Sequence, residues 1–115
     1  MSKIKNRKFG ILAEFIATIY LKLKFYRIIA RNYRNKLGEI DIIAIKNNNI
    51  IAIEVKARKK DYLLEEILTK NQINRIKRSM NIFYSRKKYY GKYNMRFDLI
   101  IIKPYKLPQH YKNFF

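Results

Sequence analysis

Ionisable residues interrupt two short apolar segments of the chain. Asp41 lies in the segment 38–44, whereas Glu54 and Lys56 lie in the segment 50–56. An unpaired carboxylate is costly to bury, so it persists among apolar residues only when it is paired, protonated or bound to a metal. Two carboxylates on neighbouring strands suit a hard divalent cation such as Mg²⁺, which takes oxygen ligands. The pattern predicts metal-assisted hydrolysis of a phosphodiester.

Lys56 follows Glu54 by two residues and is expected to project beside both carboxylates. There its ammonium group would orient or help to deprotonate the attacking water and offset charge on the phosphoryl oxygens. The main-chain carbonyl of Val55 would add an oxygen ligand, and Glu14 would bind through water or hold a second cation. The predicted ligands of Mg²⁺ or Mn²⁺ are therefore Asp41, Glu54 and Glu14.

The turn between the two segments decides whether these side chains can meet. Residues 39–46 and 49–56 have the composition of strands and flank Asn47–Asn49, and asparagine tolerates the positive φ of hairpin turns. A two-residue turn at the first two asparagines pairs Asp41 with Glu54. A two-residue turn at the second and third asparagines instead pairs Asp41 with Lys56.

Side-chain alternation then predicts which residues share a face of the sheet. Either two-residue turn places Asp41, Glu54 and Lys56 on one face, and Glu39, two residues before Asp41, shares it. A three-residue loop without a bulge would instead send Asp41 to the opposite face. The predicted site therefore depends on the length of the turn.

Helical periodicity predicts a helix on each side of this hairpin. Residues 9–24 have the pattern of an amphipathic helix, and Thr69–Gln72 has the form of a capping box that opens a second helix. The apolar positions of the first helix are Ile11, Leu12, Phe15, Ile16, Ile19, Tyr20 and Leu23.

The remaining segments complete an α/β pattern. The other predictions are a strand at 26–31, a polar stretch at 32–38, a charged loop at 57–61, a short helical turn at 62–68, a basic loop at 87–92, a strand at 95–102 and an irregular tail marked by Pro104 and Pro108. The predicted fold is a mixed sheet of about four strands with flanking helices, in the order αβββαβ.

Composition limits the class of protein. A chain of 115 residues is expected to form one domain, residues 1–115. No apolar stretch approaches the roughly 20 residues of a membrane-spanning helix, so no membrane association is expected. The basic N-terminus lacks the pattern of a secretory signal, and the absence of cysteine fits a reducing cytoplasm.

A net charge of +19 predicts a polyanionic partner, with nucleic acid expected and an anionic membrane or ribosomal RNA as variants. Frequent Lys, Ile, Asn and Tyr are also what a strongly A+T-biased genome would produce, so a plain solvated basic surface is the alternative. The predicted nucleic-acid-binding residues are Lys70, Arg75, Lys77 and Arg78 on the second helix, Arg34 in the polar stretch and Arg58 in the charged loop.

Asp41 followed by Glu54-Val55-Lys56 looks like the D…(D/E)xK signature of the PD-(D/E)xK nucleases, which have the restriction-endonuclease-like fold. The residues around this signature resemble one group more closely, the YraN-like family of functionally uncharacterised bacterial proteins. The resemblance spans nearly the whole chain and rests on Gly10, Ala13-Glu14, Ala17, Tyr20-Leu21, Arg31-Asn32, Arg34, Gly38–Ala44, Glu54–Arg58, Lys70, Arg96–Asp98 and Asn113–Phe115.

The arrangement is also similar to archaeal Holliday-junction resolvases, which combine a first-helix glutamate with the same signature. That resemblance implies a Mg²⁺-dependent endonuclease acting on branched DNA, with Asp41 and Glu54 as metal ligands, Lys56 as a catalytic residue and Glu14 as an accessory acid. Symmetric cutting would require a homodimer. Phe25-Tyr26 departs from the Gly-Tyr usual in the YraN-like family, which alters a turn and leaves the predicted site intact.

The same residues also have structural explanations. Glu54 and Lys56 could form an ion pair at a strand end, and Asp41 could pair with Arg31 or Arg34. Arg96 and Asp98 are expected to form a structural pair, and His110 is expected to have no catalytic role. At the level of function, the alternatives are a nucleic-acid-binding module without turnover and an RNA- or ribosome-associated basic protein.

Overall fold

The isoleucine-rich segments form the central strands of one sheet, because β-branched residues favour strands. The computed structural model describes residues 3–86 and 89–115. Its elements are α1 (Lys3–Leu23), β1 (Arg27–Asn35), β2 (Gly38–Lys46), β3 (Asn49–Ala57), a 3₁₀ turn (Leu64–Glu66), α2 (Lys70–Arg86), β4 (Asn94–Ile102) and β5 (Gln109–Tyr111). The strands lie side by side in sequence order, with β3 parallel to β4 and the other neighbours antiparallel.

The predicted α/β class and the order of its first six elements are confirmed, but the strand count is five instead of four. The extra strand, β5, lies in the tail predicted to be irregular, and its three residues are too few to show alternation. The predicted end of the first strand at residue 31 is also wrong, because β1 continues into the polar stretch as far as Asn35. As an edge strand, β1 can carry polar side chains into solvent.

The hairpin between β2 and β3 has the first of the two predicted registers. Lys46 pairs with Asn49, and Ile42 pairs with Ile53, so the turn consists of two residues. Asn47, in that turn, has a φ of 54°, which asparagine tolerates better than most residues. The alternative turn, shifted by one residue, is wrong.

The two helices cover opposite faces of the sheet. On one face, Leu21 of α1 packs with Ile42 and Ile53; on the other, Met80 of α2 packs with Ile43 and Ile50. The sheet is therefore buried between two helical layers, and its parallel pair is connected through α2 in the usual β-α-β manner.

The buried face of α1 differs from the predicted one. Ala13, Ala17 and Leu21 are buried against the sheet, whereas five of the predicted apolar positions are exposed: Ile11, Leu12, Phe15, Ile19 and Leu23. The alanines carry little apolar weight in a periodicity count. Their small side chains nevertheless let the helix axis approach the sheet closely.

The predicted capping box is confirmed at the start of α2. The backbone amide of Gln72 donates to Thr69 Oγ1 at 3.1 Å, and the backbone amide of Thr69 donates to Gln72 Oε1 at 2.9 Å. These bonds satisfy two of the backbone amides left open at a helix start. Met1 and Ser2, and Lys87 and Lys88 of the predicted basic loop, lie outside the described residues. Among the described helices, none is long and apolar enough to cross a membrane.

Candidate metal and nucleic-acid site

Asp41 is held where the β2–β3 pairing ends. The last paired residues are Ile42 and Ile53, and the Val55 amide then donates to Asp41 Oδ2 at 2.8 Å. A side-chain carboxylate thus accepts the bond that a strand carbonyl would otherwise take. The Asp41 carboxylate is fixed to the backbone of the strand that carries Glu54.

Strict alternation of side chains breaks down beside Asp41. Ile40 packs with Ile43 on the α2 side, although alternation would place it with Ile42 on the α1 side. Asn32, in the neighbouring strand between residues paired with Ile42 and Ile40, has a φ of 51°. Alternation alone therefore does not place the residues at the start of β2 on the sheet face that was predicted for Asp41, Glu54 and Lys56.

Glu54 and Lys56 project together beside Asp41. Lys56 Nζ lies 3.4 Å from Glu54 Oε2, and the two side chains are only 18% and 13% exposed. The Asp41 carboxylate lies close enough to Glu54 to contribute to the rise in the pKa of Glu54. The structure thus brings together the three residues predicted as catalytic.

The Glu54 carboxyl holds a proton strongly. Burial, followed by the nearby charge of Asp41 and a hydrogen bond to it, raises the pKa of Glu54 from 4.5 to about 9, while Lys56 opposes the rise. At neutral pH the Glu54 carboxyl therefore keeps its proton in the metal-free protein.

Glu14 faces this pair from α1 without joining it. Burial raises the pKa of Glu14, with Asp41 and then Glu39 adding to the effect and Arg31 opposing it. Within residues 3–86 and 89–115, no three His, Asp or Glu side chains are grouped closely enough to hold a metal together. The acids that converge directly are therefore two, Asp41 and Glu54.

The start of α2 forms one wall of the site. A depression of about 150 Å³, which we call the α2 depression, is lined by Gly38, Glu39, Glu54, Gln72, Arg75 and Ile76. Arg75 thus lies near the predicted metal ligands, and Glu39 borders the same space while pairing with Arg34 at 3.3 Å. Gln72 was not predicted from the sequence, because its capping role concealed its position beside Glu54.

The other predicted nucleic-acid-binding residues are spread over a wider surface. Lys70 and Arg78 are exposed on α2, and Lys77 Nζ lies 5.5 Å from the centre of the Phe97 ring. Arg58 donates to the main-chain carbonyl of the preceding residue at 2.8 Å. These cations do not form one cluster.

A tight contact sets the position of α2 against the sheet. A Cβ built on Gly38 would lie 3.0 Å from Ser79 Oγ and 3.3 Å from the Cβ of Arg75, so only glycine fits without displacement. Ser79 Oγ also donates to Asn35 Oδ1 at 3.2 Å, and Asn35 Nδ2 donates to the Ser79 carbonyl at 3.3 Å. This contact fixes Arg75 relative to the acid pair.

A second charged group is buried under the C-terminal segment. Asp98 is fully buried and accepts two bonds of 2.9 Å from Arg96, which confirms the predicted structural pair. Its carboxylate also lies 2.8 Å from His110 Nε2 and accepts a 2.8 Å hydrogen bond from the backbone amide of Asn113. Burial favours the neutral acid, but these bonds together lower the pKa of Asp98. The role of His110 here was missed because it depends on pairing of β5.

The fold and the site define a class of protein: an α/β domain that carries a carboxylate pair and a lysine at one hairpin. The chain belongs to the uncharacterised protein family UPF0102, which it matches over residues 13–102. This confirms the resemblance to the YraN-like family.

Full-length relatives give the same result. A UPF0102 protein of Agrobacterium fabrum is 40% identical over 107 residues, covering 93% of this chain and 88% of the relative. One of Mesorhizobium japonicum is 37% identical over 114 residues, covering 99% and 91%. One of Bartonella bacilliformis is 39% identical over 108 residues, covering 92% and 87%.

Proposed function

We propose that this protein is a cytoplasmic, metal-dependent endonuclease of the PD-(D/E)xK type that hydrolyses DNA phosphodiester bonds. The observation that carries the proposal is the convergence of Asp41 and Glu54 with Lys56 Nζ 3.4 Å from Glu54. A structural ion pair would explain Glu54 and Lys56 but not a second carboxyl beside them. Like-charge groups placed together at a cost are typical of functional sites.

The donor set fits Mg²⁺ or Mn²⁺. Both carboxyls offer hard oxygen ligands. Burial and then the charge of Asp41 raise the pKa of Glu54, and a bound cation would favour its ionised form. A bound divalent cation supplies Lewis-acid stabilisation of the phosphoryl group and lowers the pKa of its water. Asp41 and Glu54 would hold it, with Glu14 contributing through water.

The chain's own residues supply positioning and charge. Lys56, whose Nζ lies 3.4 Å from Glu54 Oε2, is placed to orient the attacking water and to offset charge on the phosphoryl oxygens. Arg75, in the α2 depression, is placed to contact a neighbouring phosphate. The excess of 27 basic over 8 acidic residues would attract DNA over a distance.

Cleavage assays test the proposal. Four-way junction, flap and linear DNA are incubated with wild type and Glu54→Ala in Mg²⁺ or Mn²⁺, and Glu65→Ala, on the exposed 3₁₀ turn, serves as the control. We expect wild type and Glu65→Ala to cut at least one substrate and Glu54→Ala to be inactive. A branched substrate is expected to be preferred, by analogy with the resolvases.

Binding measurements separate the alternatives. If all variants bind every DNA without cutting, the protein is a binding module and the enzyme proposal is wrong. If duplex RNA outcompetes every DNA form and binding does not depend on the metal, the protein is an RNA-associated protein.

A further inference from the structure

A second depression adjoins Lys56, on the α1 side of the sheet. This α1 groove has a volume of about 610 Å³ and lies between α1 and the end of β3; it is lined by Asn6, Phe9, Gly10 and residues 55–60. The α2 depression, with Glu54 and Arg75, opens on the other side. Glu54 and Lys56 thus stand between two surface depressions.

Gly10 is the unexpected residue in this groove. It lies inside α1, where glycine is less favourable than alanine. Beyond its own helix, no described atom comes within 4 Å of a Cβ built at this position. Neither packing nor backbone conformation therefore requires glycine, and a side chain here would project into open space at the groove wall.

The charges of the groove indicate what it binds. Of the described residues that line it, none is acidic, and Lys56, Arg58 and Lys60 are basic. Lys59 Nζ lies 5.3 Å from the centre of the Phe9 ring, so the protein itself covers that aromatic face. The groove thus offers cations for phosphates, and the Phe9 face beneath Lys59 is not open for stacking bases.

We propose that the α1 groove binds the sugar-phosphate backbone of a single unpaired DNA strand next to the phosphate that is cut. The groove suits one strand, because its volume of about 610 Å³ is too small to admit a duplex, whose major groove alone is about 12 Å wide. Gly10 lets that backbone approach the helix closely. The inference rests on the proposed nuclease function and adds its substrate class, DNA with a single-stranded extension.

Binding in EDTA, where no cleavage occurs, tests the groove by itself. Fluorescence anisotropy is measured with splayed-arm DNA and with blunt duplex. Gly10→Phe fills the groove, and Asn81→Phe places the same ring on the exposed surface of α2 as the control. We expect Gly10→Phe to weaken splayed-arm binding about tenfold and to leave duplex binding unchanged, with no effect of Asn81→Phe on either.

A charge variant decides the outcome if Gly10→Phe does not fold. Arg58→Ala/Lys60→Ala should weaken splayed-arm binding and reduce the slope of log affinity against log salt by about one for each phosphate that is no longer neutralised. Lys92→Ala, an exposed lysine before β4, should do neither. Wild-type affinity for splayed-arm DNA in the double variant and in any folded Gly10→Phe would overturn the proposal. If the groove variants lose affinity for splayed-arm DNA alone and the wild type cuts no substrate, the groove binds a single strand but the protein is not a nuclease.

Discussion

The backbone amide of Val55 donates to the carboxylate of Asp41 at 2.8 Å. One strand therefore holds both acids of the site, Glu54 by its own backbone and Asp41 by this hydrogen bond. Because the donor is a main-chain amide, the only substitution in β3 that deletes it is Val55→Pro, which removes the N–H itself. This hydrogen bond keeps the Asp41 carboxylate beside the strand that carries Glu54.

The burial of Glu54, together with the nearby charge of Asp41, predicts a pH-dependent loss of stability in the metal-free protein. The pKa of Glu54 is about 9 in the folded state and about 4.5 when unperturbed. The contribution of Glu54 to the free energy of unfolding is therefore complete below pH 4.5. It falls as pH rises to about 9, because the unfolded state releases the proton at lower pH than the folded state does. The slope is at most about 1.4 kcal/mol per pH unit.

Urea unfolding in EDTA across this pH range measures the effect. Glu54→Gln keeps the shape of the side chain and does not titrate, so its stability should decline less with pH than that of wild type. Parallel curves for the two proteins would show that Glu54 does not hold the proton.

The glycine contact beneath α2 predicts a steric effect at Gly38. Gly38→Ala puts a methyl group 3.0 Å from Ser79 Oγ, and overpacking of this kind costs about 1–3 kcal/mol. We expect a lower free energy of unfolding and weaker cleavage, because Arg75 shifts with the helix. Gly10→Ala, where space is open, should instead raise stability by up to about 1 kcal/mol.

The buried network predicts that Asp98 is a main source of stability. Asp98→Ala leaves the Arg96 guanidinium and the Asn113 amide without their acceptor, and breaking a buried ion pair costs about 3–5 kcal/mol. Calorimetry of this variant and of Asp61→Ala, whose side chain is exposed, makes the comparison. Equal melting temperatures would contradict the prediction.

The same network predicts acid sensitivity. Because the pKa of Asp98 is lowered from 3.8, its stabilising effect is present above the unfolded pKa and is lost as pH falls through the folded one. Asp98→Asn should therefore remove a stability loss seen below about pH 4. Acid titration followed by circular dichroism measures it.

Arg75 is expected to contribute to DNA binding through one phosphate. Arg75→Ala should weaken binding similarly for all sequences and reduce the slope of log affinity against log salt by about one. Lys92→Ala provides the control, since it removes the same charge at the opposite end of β3 and β4. An unchanged salt slope for Arg75→Ala would remove this residue from the interface.

The hairpin could be predicted because its information is local. Two apolar segments and a turn of asparagines determine which residues of β2 and β3 face each other, and the register in the structure is one of the two derived from them. The capping box of α2 depends on Thr69 and Gln72 alone. In both cases the deciding residues are close in sequence.

The features that could not be predicted depend on distant contacts. The buried face of α1 is set by alanines that gain importance only when a sheet lies against them, and β5 exists only because β4 offers an edge. The position of Gln72 beside Glu54 likewise requires α2 to dock on Gly38. No local pattern carries this information.

The two-residue turn at Asn47 and Asn48 also bears on the order of folding. Closing a short loop loses little chain entropy, whereas pairing β4 with β3 requires closure of the whole crossover through α2. We expect conservative substitutions at Ile43 to slow folding and those at Ile100 mainly to speed unfolding, as stopped-flow kinetics would measure. The acid pair would then be assembled early, and the nascent chain would carry its candidate catalytic centre before the sheet that buries it is complete.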